Sequence, residues 1–378
     1  MKVATCSAPT NIAVIKYWGK DNVGLNTPMN SSMSITLHQD QLRTTTSVAG
    51  GSRLQRTRLE CTINKRRRHL HIVSTNSFPT AAGLASSAAG FACLVATLAK
   101  FYGISKADEE YPGQLSAIAR QGSGSACRSL DGGFVAWQKG ERPDGRDSIA
   151  VQVANEIHWP GLCAVVCVVD DTHKDTSSTI GMQTTKATSP LLTYRAKHLV
   201  AGRMKTMEKA ILERDFETLR HTHNAGQQPV IRLVHRYNEQ AGCVQAAYTF
   251  DAGPNAVVFV EEQHVQQLVS LVHHCFSTPS MMTIRSSIPI NRTPSDALLE
   301  QMQTNVESGT TFKLPHVPNS IKLMYISRVG GGTRVLLMDE ALVDASSLWL
   351  PSEQTLRYLA TAAAAAAVAG NLAKSKTK

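Results

Sequence analysis

Short runs of β-branched and apolar residues with partial alternation dominate the first 75 positions. Residues 3–7, 34–37, 44–48, 59–63 and 70–73 have the length and period of strands, separated by turns such as Ala49-Gly50-Gly51-Ser52. Helical spacing follows over 91–102 and again over 114–120. Asp131-Gly132-Gly133 opens a predicted strand at 134–138, and more strand follows the turn at Pro143-Asp144-Gly145. The run 162–169 is apolar throughout, the pattern of a buried strand, and ends in the polar loop Asp170-Asp171-Thr172-His173-Lys174-Asp175.

From 194 to about 215 the helical period returns, with Leu199, Met204, Met207 and Ile211 on one stripe that reads as core packing. Helices are predicted at 230–237 and 265–274, and strands at 256–260 and 323–326, the last with Gly330-Gly331-Gly332 beyond it. An alanine-rich helix is expected over 361–370 and a fraying lysine-rich end over 372–378. Helices and antiparallel-looking hairpins come in blocks rather than in strict βαβ alternation, which makes the class α+β. At 378 residues the chain is long for one core, so two lobes are expected.

Composition narrows the function classes. No apolar run reaches the roughly 18 residues of a membrane span, and Met1-Lys2-Val3-Ala4-Thr5-Cys6 reads as a strand rather than a signal core. The eight cysteines form no CxxC pair. Cys163 and Cys167 fall in the buried strand, so free thiols and a reducing compartment, the cytoplasm, are expected. The 39 basic against 29 acidic residues give a net charge of +10, which attracts anions. The densest cluster, Lys65-Arg66-Arg67-Arg68-His69, lies between two strands with no interleaved aromatic residue. It reads as a solvated hairpin tip and not as a nucleic-acid surface.

Four segments are rich in the residue types that phosphate chemistry needs. Residues 79–90, Pro-Thr-Ala-Ala-Gly-Leu-Ala-Ser-Ser-Ala-Ala-Gly, run straight into a helix. Unpaired N–H groups and the helix dipole at such a start hold phosphate, and Ser86 and Ser87 add hydroxyl donors. The same small residues also suit a tightly packed helix start, and the loop alone leaves both readings open. Residues 8–20 carry Lys16 and Lys20 with Tyr17 between them. Residues 123–128 expose the amides and hydroxyls of Gly-Ser-Gly-Ser type sequence beside Arg128, whose planar fork suits a carboxylate or phosphate. Asp251, ahead of a Gly-Pro turn, is either a turn former on its own backbone or a rigidly held base. No P-loop spacing, Gly-x-Gly-x-x-Gly, HExxH or convincing histidine metal site occurs.

In this order the segments resemble the mevalonate diphosphate decarboxylases, a branch of the superfamily of galactokinase, homoserine kinase, mevalonate kinase and phosphomevalonate kinase. The resemblance rests on residues 8–20, 30–37, 78–92, 119–137, 174–182 and 248–257. It covers most of residues 1–260 and continues weakly to the end. Residues 79–90 mark the superfamily, while 8–20, 122–129 and 249–255 mark the decarboxylase branch.

The resemblance implies ATP-dependent decarboxylation of mevalonate 5-diphosphate to isopentenyl diphosphate by way of 3-hydroxyl phosphorylation. A plain kinase of the superfamily, stopping at a phosphorylated product, is the alternative. It also implies an N-terminal ribosomal-protein-S5-like lobe at 1–185, a C-terminal ferredoxin-like lobe at 186–378, and a homodimer. By the same resemblance Asp251 stands beside the 3-hydroxyl, Lys16 beside Asp251, and Arg128 on the substrate carboxylate. Tyr17, Lys20, Ser123 and Ser125 take the substrate diphosphate. Gly83, Ser86 and Ser87 cradle the phosphates of ATP, Ser178 in Thr176-Ser177-Ser178 helps close the site, and Mg²⁺ rides on ATP without fixed protein ligands. One departure stands out. Relatives carry a longer stretch with a Ser-Asn and a downstream His where this chain runs from His221-Thr222-His223-Asn224-Ala225-Gly226 quickly to Pro229, so no role transfers there.

Overall fold

The computed structural model describes residues 2–50, 59–63, 66–79, 84–170, 178–220, 228–276, 282–286, 288–303 and 314–343. The chain begins with β1 (Lys2–Pro9), β2 (Asn11–Ile15), β3 (Lys20–Asn22), β4 (Thr27–Pro28), β5 (Ser32–Thr36), β6 (Arg43–Gly50), β7 (Leu59–Ile63) and β8 (Arg66–Asn76). Helices α1 (Ser86–Tyr102) and α2 (Gln114–Gly122) precede a 3₁₀ turn at Gly124–Ser129, then β9 (Phe134–Trp137), β10 (Ala150–Ala154) and β11 (Leu162–Val168). Next come α3 (Ser178–Thr188), α4 (Pro190–Tyr194), a π-helical turn at Arg195–Leu199, α5 (Val200–Glu213), α6 (Phe216–Leu219) and α7 (Gln228–Ala241). The order closes with β12 (Ala246–Phe250), β13 (Ala256–Glu261), α8 (Glu262–Phe276), β14 (Thr283–Ser286), α9 (Asp296–Gln303), β15 (Leu323–Arg328) and β16 (Arg334–Val335).

Three main sheets result, ordered β16-β1-β6-β8-β7, β10-β9-β5-β2 and β12-β13-β11-β15-β14. The expected α+β class holds. Antiparallel pairing prevails, with β14 parallel to β15. In the first sheet Ala4, Cys6, Val48 and Leu70 meet Ala92, Val95 and Leu98 of α1. The second sheet turns Ile12, Met33, Ile35 and Phe134 toward one face of the third sheet, with Met207 and Ile211 of α5 in the same core. The far face of the third sheet packs on α7 and α8.

Strand β11 shows why its sequence is apolar without alternation. Leu162, Ala164, Val166 and Val168 enter the core shared with the second sheet, while Cys163, Val165 and Cys167 enter the helix-side core. A strand covered on both faces has no solvent side to mark with polar residues. The same cause hid β2, whose five residues are all buried, and β12, likewise buried throughout. Neither was expected from the pattern.

Other expectations shift in detail. Helix α1 starts at Ser86, five residues before the predicted 91, so the Ser-Ser-Ala-Ala-Gly run is helical rather than loop. Ala85 sits in the left-handed region at φ 54° and its carbonyl accepts from Ala88 and Ala89 N–H, which sets the start. Residues 121–122 are helical and 124–129 form the 3₁₀ turn, where a loop was expected. Met207 and Ile211 are buried as predicted, but Leu199 is exposed. The π turn widens the helix at 195–199 and shifts the phase of the stripe there. The basic cluster begins β8 opposite β7, Ile63 facing Arg66, so the hairpin is present. Lys65, the loop at 171–175, the segment at 221–226 and the predicted helix at 361–370 with its lysine-rich end lie outside the described residues.

The chain's return binds the first and third sheets. Strand β16 pairs with β1, and Leu37 bridges Val329. Gly330 N–H donates to Thr36, and Gly133 N–H donates to Gly330, at 2.9 Å each. The crossing is backbone on backbone. A Cβ on Gly132 would fall on Gly332 N and 2.5 Å from Gly331 Cα. Because main chain cannot rotate away, Gly132→Ala is expected to cost about 3 kcal/mol in urea unfolding, the upper range for overpacking. Gly161→Ala, with nothing within 4 Å of the added carbon, should change stability by less than about 0.5 kcal/mol. Equal effects at both positions would show that the crossing has slack.

Candidate active site

The 3₁₀ turn Gly124–Ser129 touches the second sheet on one side and the α1–α2 pair on the other, Cys127 joining the cluster of Val135 and Trp137 and Ala126 that of α1. Asn11, buried on β2, holds it. Its Nδ2 donates to Ser125 O at 3.1 Å and to Ser129 Oγ at 2.7 Å, and its Oδ1 accepts from Arg128 Nε at 3.2 Å. Arg128 Nη1 donates to Ser32 Oγ at 2.6 Å. The guanidinium carbon lies 5.7 Å from the Trp137 ring and 5.9 Å from the Tyr17 ring, and those rings meet edge to face at 4.7 Å. Such faces attract a cation without neutralising it.

Arg128 is only 2% exposed. Among the described residues it has no carboxylate within ion-pairing distance, and its Nη2 donates to no described acceptor. Burial lowers its pKa from the usual arginine value. Burial also pushes the Tyr17 phenol up to about 12, so it stays protonated and can donate. Gly124 lets this wall close, since a Cβ there would lie 2.8 Å from Tyr17 Oη and 2.9 Å from the Trp137 ring.

Lys16 leaves the end of β2 and meets Asp251 across 235 positions of sequence, Nζ donating to Oδ1 at 2.6 Å. The side chains are 20% and 26% exposed. Asp251 follows β12, and the rigid turn behind it is fastened by Asn255. Asn255 Oδ1 accepts from Val169 N at 2.8 Å and Asp170 N at 3.1 Å, and its Nδ2 donates to Asp170 O at 3.0 Å. The turn's own bond, Gly253 N to Asp251 O at 2.8 Å, uses the main chain. The carboxylate therefore faces Lys16 rather than capping its own backbone. Burial lowers the Lys16 pKa, the Asp251 charge opposes that, and Arg128 adds to it.

The small-residue segments meet at the other end of the turn. Ser86 is buried and Ser87 exposed in the first turn of α1, and Ser87 Oγ lies 3.1 Å from Ser123 Oγ. The α1 start has no side-chain cap and no acidic residue in its first turn. Gly83 lies outside the described residues. Lys20 opens β3, and its Nζ reaches Thr179 Oγ1 at 3.4 Å, beside Ser178 at the exposed start of α3. Burial lowers the Lys20 pKa. Helix α3 is tied down by Trp18 Nε1 to Thr185 Oγ1 at 3.1 Å and by Lys186 Nζ to Lys20 O at 2.8 Å.

The expected residues thus fall into three adjoining groups. Lys16, Tyr17, Arg128 and Asp251 form one, Ser87 and Ser123 a second, and Lys20 with Ser178 a third. Ser125 supplies its carbonyl to Asn11, and no contact among the described residues joins Ser178 to the start of α1. Sequence reasoning passed over Asn11, Ser32, Trp137 and Asn255. An Asn opening the apolar run Ile12–Ile15 is the one signal that could have pointed to Asn11.

Comparison with known proteins finds these likenesses. Residues 8–67 and 51–150 match the diphosphomevalonate decarboxylase-like N-terminal domain, and 164–226 and 221–336 match the mevalonate 5-diphosphate decarboxylase C-terminal domain. The chain is 41% identical to the diphosphomevalonate decarboxylase of Rattus norvegicus over 394 residues, covering 88% of this chain and 93% of that protein. A crystal structure of a mevalonate 5-diphosphate decarboxylase is 36% identical with a TM-score of 0.73, over 92% of this chain and 100% of the other. A further solved chain, in complex with MVAPP, AMPPCP and magnesium, shares the fold at 24% identity and a TM-score of 0.61, over 89% and 99% of the two chains.

Asn11→Ala removes three hydrogen bonds and strands the buried Arg128 Nε. The expected loss is about 2–4 kcal/mol, one charged bond and its neutral companions. Denaturant unfolding at constant slope measures it, and a loss below about 1 kcal/mol would show that Asn11 does not hold the turn.

Proposed function

The chain belongs to the diphosphomevalonate decarboxylase family, and on that premise we propose how its own residues perform the reaction. The protein catalyses ATP-dependent decarboxylation of mevalonate 5-diphosphate to isopentenyl diphosphate, releasing ADP, phosphate and carbon dioxide, within isoprenoid and sterol synthesis by the mevalonate pathway. One observation carries the assignment of roles: a buried arginine without an acid of its own stands in the same cluster as the Lys16–Asp251 pair.

Hydroxide is a poor leaving group and phosphate a good one, so the tertiary 3-hydroxyl is phosphorylated first. Phosphate then departs, the carboxylate carbon–carbon bond breaks, and its electrons form the alkene. Arg128 grips the carboxylate by its fork and holds it in line. Asp251 lies beside the 3-hydroxyl, as base or as the negative partner of the developing cation. Lys16 orients Asp251. Tyr17, Lys20, Ser123 and Ser125 take the substrate diphosphate.

The start of α1, with Gly83, Ser86 and Ser87, receives the phosphates of ATP, and Ser178 helps close the site. Among the described residues no three His, Cys, Asp or Glu side chains converge on a metal position. The serine hydroxyls at α1 are neutral oxygen donors, which fits a Mg²⁺ ion held mainly by nucleotide oxygens. When bound, that ion neutralises phosphate charge.

The two-lobe division belongs to the same reading. The first two sheets with α1 and α2 make an N-terminal, S5-like lobe, and the third sheet with α7 and α8 makes a ferredoxin-like lobe that supplies Asp251. Strand β11, within 1–185, pairs in the third sheet. No described helix is long and apolar enough to cross a membrane. A cytoplasmic homodimer goes with the family membership.

Carboxyl-labelled mevalonate diphosphate with Mg-ATP should release labelled carbon dioxide in step with ADP. Phosphorylation without that release would make the protein a kinase of the superfamily. Asp251→Asn is expected to bind ATP nearly unchanged and to lose turnover at least about a hundredfold, and near-normal turnover would remove Asp251 from its role.

Lys16 acts as a cation, and its pKa is lowered. Raising pH therefore removes its charge, and kcat/KM should fall on the alkaline side at a lower pH than an exposed lysine would give. Lys16→Arg, which does not titrate there, should erase that limb. A limb that persists in Lys16→Arg and vanishes in Lys20→Arg belongs to Lys20, whose pKa is lowered too.

A further inference from the structure

Strand β2 ends awkwardly for Lys16. Its pairing with β5 slips between Ala13 and Ile15, Ala13 facing Ser34 and Ile15 facing Met33, and the ladder stops there. A bulge of this kind turns the following side chain out of the sheet, and such bulges recur beside active sites. It also leaves the Lys16 carbonyl without a strand partner, and a part-buried carbonyl needs one.

Two side chains supply it. Arg195 Nη2 donates to Lys16 O at 2.7 Å, and Asn30 Nδ2 donates to the same oxygen at 3.2 Å. Arg195 Nη1 donates to Asn30 Oδ1 at 3.2 Å, which closes a triangle of three polar groups. Asn30 is 3% exposed. Among the described residues Arg195 has no carboxylate within ion-pairing distance, so its charge is spent on neutral oxygens. It stands at the first position of the π turn between α4 and α5, a geometry that recurs at functional positions.

We propose that Arg195 is a positioning residue for the decarboxylation, fixing the Lys16 main chain so that Lys16 Nζ stays on Asp251 and Tyr17 stays on the Arg128 wall. The inference rests on the roles given to Lys16 and Asp251 above. With the carbonyl pinned toward Arg195, the side chain of Lys16 and the next residue, Tyr17, have one course each. A single-point cation such as lysine cannot serve two acceptors in that fixed plane.

The test is a double-mutant cycle on the full-length enzyme. Arg195→Met should lower kcat about tenfold to a hundredfold, the scale of a small misplacement of reacting groups. KM for ATP should stay within about twofold, because the nucleotide is held elsewhere. Arg195→Lys should recover part of kcat. In a Lys16→Met background the Arg195→Met change should cost clearly less than in the unmodified enzyme, since its effect through Lys16 is gone and only that through Tyr17 remains.

Losses that multiply across the cycle, or an Arg195→Met enzyme with normal kcat, would overturn the inference while leaving the site assignment standing. A Lys16→Met enzyme of normal turnover would instead overturn the site assignment itself. If Arg195→Met shows no cooperative melting, the same cycle is read with Arg195→Lys, which keeps the charge and loses the bridge.

Discussion

The contact between Lys16 and Asp251 is the constraint on which the rest of the site hangs. It joins the end of a strand in the second sheet to a turn leaving the third, so it forms only when the two sheets are correctly seated. A partly buried ion pair returns little net stability, because desolvation offsets most of the attraction. Its value lies in geometry. It holds a carboxylate at a fixed point, where, on the proposed mechanism, a developing positive centre gains from it.

The architecture serves that point from several sides. Strand β11, buried on both faces, sets the third sheet rigidly between two cores. Asn255 fastens the Asp251 turn to the end of that strand. The glycine crossing of residues 130–133 with 330–332 stitches the third sheet's exit to the first two, and the chain returns to pair with β1. On the other side Asn11 binds β2 to the turn bearing Arg128, so one strand positions both Lys16 and Arg128. A displacement of β2 would move both together.

Legibility in the sequence followed how local each cause is. The small-residue run at the start of α1, the Gly-Ser-Gly-Ser segment and the Asp-x-Gly-Pro turn stood out as candidates because their composition is read within a few residues, though each alone also suited a packing or turn role. That Asp251 faces Lys16 was read from family resemblance and not from spacing, since nothing local relates positions 235 apart. Strands β2 and β12 were missed because burial on every side erases alternation. The supports of the site, Asn30 and Arg195 among them, were silent for a different reason. Each works through a backbone carbonyl, and any residue can present a carbonyl, so no side-chain pattern records the bond. Leu199 misled for a related reason, as the π turn broke the period on which its stripe was counted.

The charges of the site point the same way when taken together. Lys16, Lys20, Arg128 and Arg195 all have their pKa values lowered by burial, and of the four only Lys16 is paired with a described acid. Lys20, Arg128 and Arg195 have thus given up water without an ion-pairing acid among the described residues, which is unfavourable. On the proposed roles, a ligand with a diphosphate at one end and a carboxylate at the other relieves that condition at two places at once. Neither place is the carbon that reacts. Binding energy gathered at the ends of the molecule is thereby available to hold the middle, a tertiary carbon with no charge of its own in the ground state, against Asp251. On the proposed roles a neutral analogue gains no such relief, and Arg128, buried without an ion-pairing acid among the described residues, selects for the substrate's carboxylate.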